Sequence, residues 1–187
     1  MRILLHTCCG PCSTYVAKSL LERGHEVTGY FYNPNIHPYA EYQKRKENAE
    51  KWAKAAGVPL ISDTQYDVAA WMGEVNQDLS RRCEGCYRAR LVPAAEVAKQ
   101  HTCDAFTTTL LISPYQQHQV IREVGEQVAQ DKHISFYYED FRQHFKETYG
   151  LSREYDLYRQ HYCGCVFSEY ERAQERALKA KKEPMSK

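Results

Sequence analysis

The sequence lacks any run of apolar residues long enough to cross a bilayer, which takes about 20 residues in a helix. It also lacks the apolar region and the small-residue cleavage site of a secretory signal, because Met1 leads directly into the strand-like segment RILLH. These absences predict a cytoplasmic protein, in a compartment that keeps thiols reduced. Structural disulfides are therefore not expected, and roles as metal ligands or catalytic groups are favoured for the cysteines.

The chain has no large excess of charge of one sign, since 25 Lys and Arg residues stand against 24 Asp and Glu residues. The ends, 1–60 and 141–187, are mildly basic, and the middle is acidic. This balance argues against a strongly cationic nucleic-acid binder but permits a local basic face for a folded RNA. The basic run KRK at 44–46 is expected to lie on a solvated helix face.

Several common site motifs are also missing. Neither G-x-x-x-x-G-K-[ST] nor G-x-G-x-x-G occurs, which argues against a standard nucleoside triphosphate or dinucleotide loop. The sequence shows no recognisable Ser/His/Asp arrangement for nucleophilic catalysis. Without internal repeats or a low-complexity linker, the sequence predicts a single α/β domain over 1–187 with a basic C-terminal tail at about 178–187.

Eight cysteines are present, and seven of them form three clusters, with Cys103 alone and expected to pack as a small hydrophobe. The first motif is Cys8, Cys9 and Cys12, the second is Cys83 and Cys86, and the third is Cys163 and Cys165. A tetrahedral zinc or a four-iron cluster uses at most about four thiolates, so one metal centre does not account for seven. The spare thiols predict a second metal, a redox dithiol, or both.

Hydrophobic periodicity predicts strands alternating with helices. The predicted strands are 2–6, 26–32, 58–61, 105–112 and 134–138. The predicted helices are 13–23, 39–56, one ending at about 100, one starting at Ser113-Pro114, and a cysteine-rich helical C-terminal part. This alternation indicates an α/β fold with a mostly parallel five-stranded sheet flanked by helices. The loops after the first and fourth strands, 6–12 and 107–113, should then be neighbours at a switch point of the sheet, where ligands bind.

The turn CGPC at 9–12 opens a predicted helix, whose N-terminus should lower the pKa of its thiols. Thioredoxin-like redox chemistry and metal ligation both fit this turn. Cys8 and the two further motifs favour ligation, with a structural zinc site as the simpler alternative.

Two loops carry candidate substrate contacts. Asn33 and Asn35 lie in a polar turn after the second strand and either contact a nucleotide or simply form the turn. Arg81 and Arg82 precede the second motif and suit phosphate contacts, or else compensate nearby thiolates and acids. The same alternatives apply to Arg88 and Arg90.

The segment after the fourth strand supplies three more candidates. Ser113, Tyr115 and Gln116 would begin a helix beside the proposed site. Tyr115 is a candidate proton donor or base-stacking residue, with a surface position as the alternative. His6 either orients a ligand or caps its strand.

A set of motifs runs in order through almost the whole chain: HTCCGPC, FYNPNIHP, EYQKR, RRCEGCYRARL, TTTLLISPYQ, DFR and YRQHYCGCVFS. Together they closely resemble the QueH family of epoxyqueuosine reductases. The resemblance implies removal of the epoxide oxygen of epoxyqueuosine at the tRNA wobble base, the last step of queuosine synthesis. It further implies an α/β core like that of the adenine-nucleotide α-hydrolase superfamily (the PP-loop-like folds), a [4Fe-4S] cluster and a separately bound iron.

By this resemblance, six of the clustered cysteines fall on metal-binding positions: Cys8, Cys9, Cys83, Cys86, Cys163 and Cys165. Cys12 falls on a position that holds either Cys or Asp, both of which can ligate a metal. The split that we expect gives the cluster Cys83, Cys86 and one cysteine from each other motif. Cys12 and the remaining pair would hold the single iron. The predicted chemistry is Lewis-acid activation of the epoxide by that iron, two electrons from the cluster, and a proton from Tyr115 or a bound water. The electron donor is external.

Three rival functions compete with this one. An ATP-dependent tRNA-modifying enzyme of related architecture is disfavoured by the missing phosphate loop and the cysteine-filled first turn. A thiol–disulfide oxidoreductase using Cys9 and Cys12 would be colourless and active after iron chelation. A zinc-stabilised RNA-binding module would hold zinc and show no turnover.

Overall fold

Five parallel strands form the sheet at the centre of the protein. The computed structural model describes residues 1–62 and 65–182. The strands are β1 (Arg2–His6), β2 (Glu26–Phe31), β3 (Leu60–Ser62), β4 (Ala105–Thr108) and β5 (Ser135–Phe136). Their order is β3-β2-β1-β4-β5, and each neighbouring pair is parallel. The predicted fold class, a mostly parallel five-stranded sheet, is confirmed.

The central strand β1 pairs with β2 on one side and β4 on the other, so that Leu4 lies opposite Thr28 and Phe106. Its residues Ile3, Leu4 and Leu5 are fully buried, as expected for a parallel sheet covered on both faces. The strand order reverses between β1 and β4, which makes their carboxyl ends the switch point. The loops that follow these two strands therefore meet there, as the sequence predicts.

Seven helices surround the sheet within the described residues: α1 (Gly10–Glu22), α2 (Tyr39–Ala56), α3 (Val68–Val75), α4 (Arg82–Gln100), α5 (His118–Lys132), α6 (Glu147–Glu154) and α7 (Val166–Lys182). The bounds of α2 agree with the sequence prediction, because Gly57 takes the left-handed conformation (φ +67°) that ends a helix. None of the described helices combines the length and apolarity needed to span a membrane.

Two element predictions near the switch point are wrong. The fourth strand ends at Thr108 rather than 112, because the Thr108 hydroxyl accepts a hydrogen bond from the Leu110 amide and starts a 3₁₀ turn over Thr109–Ile112. The helix predicted from Ser113-Pro114 begins only at His118. Ser113 is extended, and the carbonyl of Ser113 accepts from the amide of Gln116. Tyr115 and Gln116 therefore lie in a turn.

Cysteine motifs lie beside the helices at both ends of the chain. The first motif lies at the start of α1, where a side chain at Gly10 would approach the Asn48 carbonyl of α2 to 2.7 Å. The third motif lies in the segment between α6 and α7, in the predicted cysteine-rich C-terminal part. Residues 178–182 of the predicted basic tail belong to α7, and residues 183–187 lie outside the described residues.

Candidate metal centre

The first motif lies between the end of β1 and the first turn of α1. Cys9 is the N-cap residue of α1, and its extended backbone lets Cys8 and Cys12 approach it from both sides. The three sulfurs all lie within 4.8 Å of one another, and those of Cys8 and Cys9 are 3.8 Å apart. Metal–sulfur bonds of about 2.3 Å around a tetrahedral ion place sulfurs about 3.8 Å apart. The geometry of this motif therefore fits a metal ion.

Negative charge in the first motif concentrates on Cys9. Burial opposes ionisation there, but hydrogen bonds with Cys12 and Cys8 hold the pKa of Cys9 well below its usual range. The hydrogen bonds of Cys12 with its two neighbours, together with burial, raise the pKa of Cys12. A hydrogen bond with Cys12 lowers the pKa of Cys8, but Cys9 and burial together raise it to about 11. A bound cation would favour loss of the two remaining protons.

The second and third motifs face each other. Cys83 and Cys86 lie one turn apart on α4, so their side chains share one helix face. Burial raises the pKa of both thiols. Arg82 opposes this at Cys83 and Arg90 opposes it at Cys86, while the charges of Cys163 and Cys165 add to it, and the net pKa of Cys86 is about 11. Cys165 also packs against the buried group that contains Cys86 and Trp71, while Cys83 packs against the main core beside the first motif.

Arg90 connects all three motifs. Its side chain is only 1% exposed, and its Nε donates to the Cys86 carbonyl at 3.1 Å. Burial alone would lower the pKa of Arg90, but the negative charge of one cysteine from each motif raises it above its usual value. These cysteines are Cys86, Cys163 and Cys8. The Nη2 atom of Arg90 is buried and has no hydrogen-bond partner among the described residues.

Arg45 is buried beside the third motif and donates hydrogen bonds to its backbone. Only 2% of its side chain is exposed, so the expectation that it lies on a solvated helix face is wrong. It donates to Glu41 at 2.7 Å, to the Cys163 carbonyl at 2.7 Å and to the Tyr162 carbonyl at 3.2 Å. A buried guanidinium thus fixes the backbone that presents Cys163.

Three side chains donate hydrogen bonds to cysteine sulfurs of the first and third motifs. The side-chain amide of Gln160 donates to Cys9 at 3.0 Å, and that of Gln116 donates to Cys163 at 3.2 Å. The hydroxyl of Thr109 donates to Cys8 at 3.0 Å, which joins the β1 and β4 loops. Such contacts orient metal ligands and tune the metal.

Sequence reasoning missed Gln160, Thr109 and the buried Tyr87. The Tyr87 hydroxyl donates to Gln116, and burial raises the pKa of Tyr87. The available signal was proximity in sequence, since Gln160 precedes the third motif by three residues and Tyr87 follows Cys86 directly.

His6 is structural in this arrangement. It is fully buried, with Nδ1 2.9 Å from the Thr108 hydroxyl and Nε2 3.2 Å from the Tyr32 carbonyl. Burial lowers its pKa to about 4, so the ring is neutral at pH 7 and links the ends of β1, β2 and β4.

The predicted substrate contacts occupy different environments. Asn33 and Asn35 are buried, and Asn33 donates to the Thr7 carbonyl at 2.9 Å, which places them inside the loop rather than on the surface. Arg81 pairs with Glu84, and Arg82 pairs with Glu171. These ion pairs agree with the charge-compensation interpretation.

The segment 113–117 lies beside the third motif. Gln116 contacts Cys163 directly, whereas the Tyr115 side chain is 76% exposed and meets Phe145 edge to face. The Ser113 hydroxyl accepts from the Tyr115 amide at 3.3 Å. Of the seven clustered cysteines, all of which the structure describes, Cys163 is the exposed one. Burial nevertheless raises the pKa of its thiol, so Cys163 exposes part of its surface to solvent while its sulfur faces the centre.

The fold and site define a parallel α/β protein with a cysteine-rich centre at its switch point. Two solved structures share the fold. A predicted subunit of a tRNA methyltransferase from Methanocaldococcus jannaschii has a TM-score of 0.58 at 13% identity, covering 82% of this chain and 75% of that one. A deacetylase of teicoplanin biosynthesis in complex with teicoplanin has a TM-score of 0.51 at 11% identity, covering 98% and 93%. At these identities the likeness concerns the fold alone.

Sequence comparison is more specific. The family model described as epoxyqueuosine reductase QueH matches residues 3–171. A protein named epoxyqueuosine reductase QueH from Dehalococcoides mccartyi is 39% identical over 171 residues, covering 91% of this chain and 94% of the relative. Its namesake from Thermotoga maritima is 33% identical over 184 residues, covering 94% of each chain. The chain therefore belongs to the QueH family of epoxyqueuosine reductases, which are oxidoreductases.

Proposed function

We propose that this protein reduces epoxyqueuosine in the wobble position of tRNA to queuosine, using a [4Fe-4S] cluster and a neighbouring single iron. The observation that carries the proposal is the gathering of cysteine motifs at the switch point. The three sulfurs of the first motif lie within 4.8 Å of one another, and Gln160, three residues before the third motif, donates to Cys9. In balanced form, the epoxide takes up two electrons and two protons, both C–O bonds break, and an alkene and water result. The proposed setting is the cytoplasm, with an external electron donor.

The donor set fits these groups. Seven sulfurs exceed the four ligands of one cluster, and the close contact of the first motif suits a metal ion. When bound, the cluster would supply single electrons, and the second iron would act as a Lewis acid.

The proposed division gives the cluster Cys83, Cys86 and one cysteine from each of the other motifs. Cys12 and the remaining pair would hold the single iron. The sulfurs of Cys8 and Cys9 are 3.8 Å apart, so a division between them would give each metal one of these two adjacent cysteines as a ligand.

Residues of this chain hold and shield the centre. Arg45 and Arg90 offset the charge of the thiolates, and the amides of Gln116 and Gln160 donate hydrogen bonds to sulfur. The exposed side of Cys163 supports entry of the extruded base at this point. Tyr115, on the same turn as Gln116, is the proposed proton donor, with Ser113 and Gln116 lining the entrance.

Docking of the tRNA is proposed at the basic ends of the chain, with Arg81 and Arg82 near its phosphates. In the structure Arg81 pairs with Glu84 and Arg82 pairs with Glu171, so tRNA phosphates would have to replace these two carboxylates. These pairs are partly exposed, and exchange of a carboxylate for a phosphate in such a pair costs little. The buried Asn33 and Asn35 would act indirectly, by shaping the loop beneath the entrance.

Anaerobic purification with iron, zinc and sulfide counted per chain tests the proposal. Brown protein with four sulfides and about five irons, which converts epoxyqueuosine tRNA when given a chemical reductant, is the expected result. Only four irons in fully active protein would remove the single iron from the proposal. Colourless protein holding one zinc, even after reconstitution, would refute the reductase and favour a zinc-stabilised RNA-binding module.

A further inference from the structure

A chain of hydrogen bonds leads from the backbone before α5 to the sulfur of Cys163. The amide of Gln117 donates to the Tyr87 hydroxyl oxygen at 3.1 Å. The Tyr87 hydroxyl donates to Oε1 of Gln116 at 3.0 Å, and Nε2 of Gln116 donates to Sγ of Cys163 at 3.2 Å. The proposed reaction assigns no role to Tyr87.

The direction of this chain is fixed at its start. A backbone amide can only donate, so the Tyr87 oxygen accepts there and directs its own hydrogen to Gln116. The amide of Gln116 must then turn its oxygen towards Tyr87 and its NH₂ towards Cys163. Because Tyr87 is only 2% exposed, water does not compete for its hydroxyl. The backbone of Gln117 thereby determines which end of the Gln116 side chain faces the sulfur.

We propose that Tyr87 is a positioning residue that holds Gln116 as an N–H donor to Cys163 and thereby makes the metal centre easier to reduce. Hydrogen bonds to ligand sulfurs stabilise the more negative, reduced state of a cluster, and they are one determinant of its potential. The inference rests on the proposed function, because it requires that Cys163 ligate a metal.

The test is an anaerobic redox titration of the reconstituted protein, followed spectroscopically. Gln116→Leu removes the donor and should shift the reduction equilibrium about tenfold towards the oxidised state, about 59 mV for a one-electron couple. Tyr87→Phe should shift it less in the same direction, because the released amide can turn either end to the sulfur. In the double variant, Tyr87→Phe should add nothing to Gln116→Leu.

Tyr170→Phe is the matched control. The Tyr170 hydroxyl also pairs with a glutamine, accepting from Gln174 at 2.9 Å, but on the exposed face of α7. Its replacement should leave the midpoint potential unchanged.

Three results would overturn the inference. The first is an unchanged potential in Gln116→Leu. The second is a Tyr87→Phe shift that persists undiminished in the Gln116→Leu background, which would show that Tyr87 acts by another route. The third is wild-type protein without a cluster, which overturns the proposed function as well. Since Gln116 is only half-buried, its replacement tests the donor even if the buried Tyr87→Phe change impairs folding.

Discussion

Replacing Arg45 with alanine should destabilise the protein strongly. The guanidinium of this residue connects Glu41, four positions earlier on α2, to the carbonyls of Cys163 and Tyr162. The alanine variant would leave the Glu41 carboxylate, 12% exposed, without its cation and both carbonyls without their donor. Removal of one partner of a buried ion pair costs about 3–5 kcal/mol, so the free energy of unfolding should fall by about that amount.

Arg122 provides a matched control. It pairs with Glu126 on α5 through the same atoms, Nε and Oε1, at the same 2.7 Å and with the same spacing of four residues. The difference is exposure, since both side chains of this pair are about half exposed, 47% and 49%. An exposed pair contributes roughly 0–1 kcal/mol, so Arg122→Ala should cost less than about 1 kcal/mol.

Two measurements check this reasoning. Urea unfolding of the reduced, metal-free chain gives the loss of stability, and iron per chain after reconstitution gives the effect on the third motif. Arg45→Lys should fall between wild type and alanine, because one ammonium cannot span the three acceptors that the guanidinium reaches. Equal losses for Arg45→Ala and Arg122→Ala, with full iron binding in both, would refute the structural role of Arg45.

Three further predictions concern the centre and its substrate. Cys12→Ala should retain the visible absorbance of the cluster while turnover falls roughly a hundredfold or more. Cys12→Asp should retain more turnover than Cys12→Ala. A Cys12→Ala enzyme as fast as wild type would contradict the proposed role of Cys12 as a ligand of the single iron. Gly164→Ala should cost about 1–3 kcal/mol in urea unfolding, because φ is +148° and the new Cβ would meet Asn35 Nδ2 at 3.0 Å and Arg45 Nη1 at 3.3 Å. Gly150→Ala, in open space, should be neutral or stabilising, and equal effects of the two changes would show that the loop at Gly164 relaxes. Binding of epoxyqueuosine tRNA should weaken about tenfold between about 50 and 200 mM salt if two phosphates are contacted, and a flat salt dependence in a filter-binding assay would reject the docking proposal.

Much of the fold was predictable because local signals and burial agree. The sequence predicted the end of α2 correctly, where Gly57 takes the left-handed conformation, and the apolar strands lie where a buried parallel sheet requires them. The segment after β4 was not predictable in this way. Proline fits a turn as well as a helix start, and the hydroxyl of Thr108 decided the local structure by accepting from the amide of Leu110.

The sequence identified the cysteines of the site, but it did not show which basic residues are buried beside them. Cysteine spacing is unusual enough to be noticed in one sequence, whereas a basic residue in a charged helix resembles every other surface residue. Arg45 lies between Lys44 and Lys46, and its inward direction becomes apparent only once α2 packs beneath the third motif. Arg90 was one of four arginines for which the sequence suggested compensation of thiolates, but only the fold shows that it is the buried one.

The buried Arg90 supports the metal–thiolate centre proposed above. A guanidinium deep in a protein is unfavourable unless anions surround it, and Nη2 of Arg90 lacks a protein acceptor among the described residues. Arg45 carries no such argument, because Glu41 already provides its anion. Neutral thiols would not compensate Arg90, since a thiol is only a weak acceptor. Thiolates would, and a bound metal would hold several buried thiols in the deprotonated form. The position of Arg90 therefore favours the proposed metal–thiolate assembly over a set of packed, protonated cysteines.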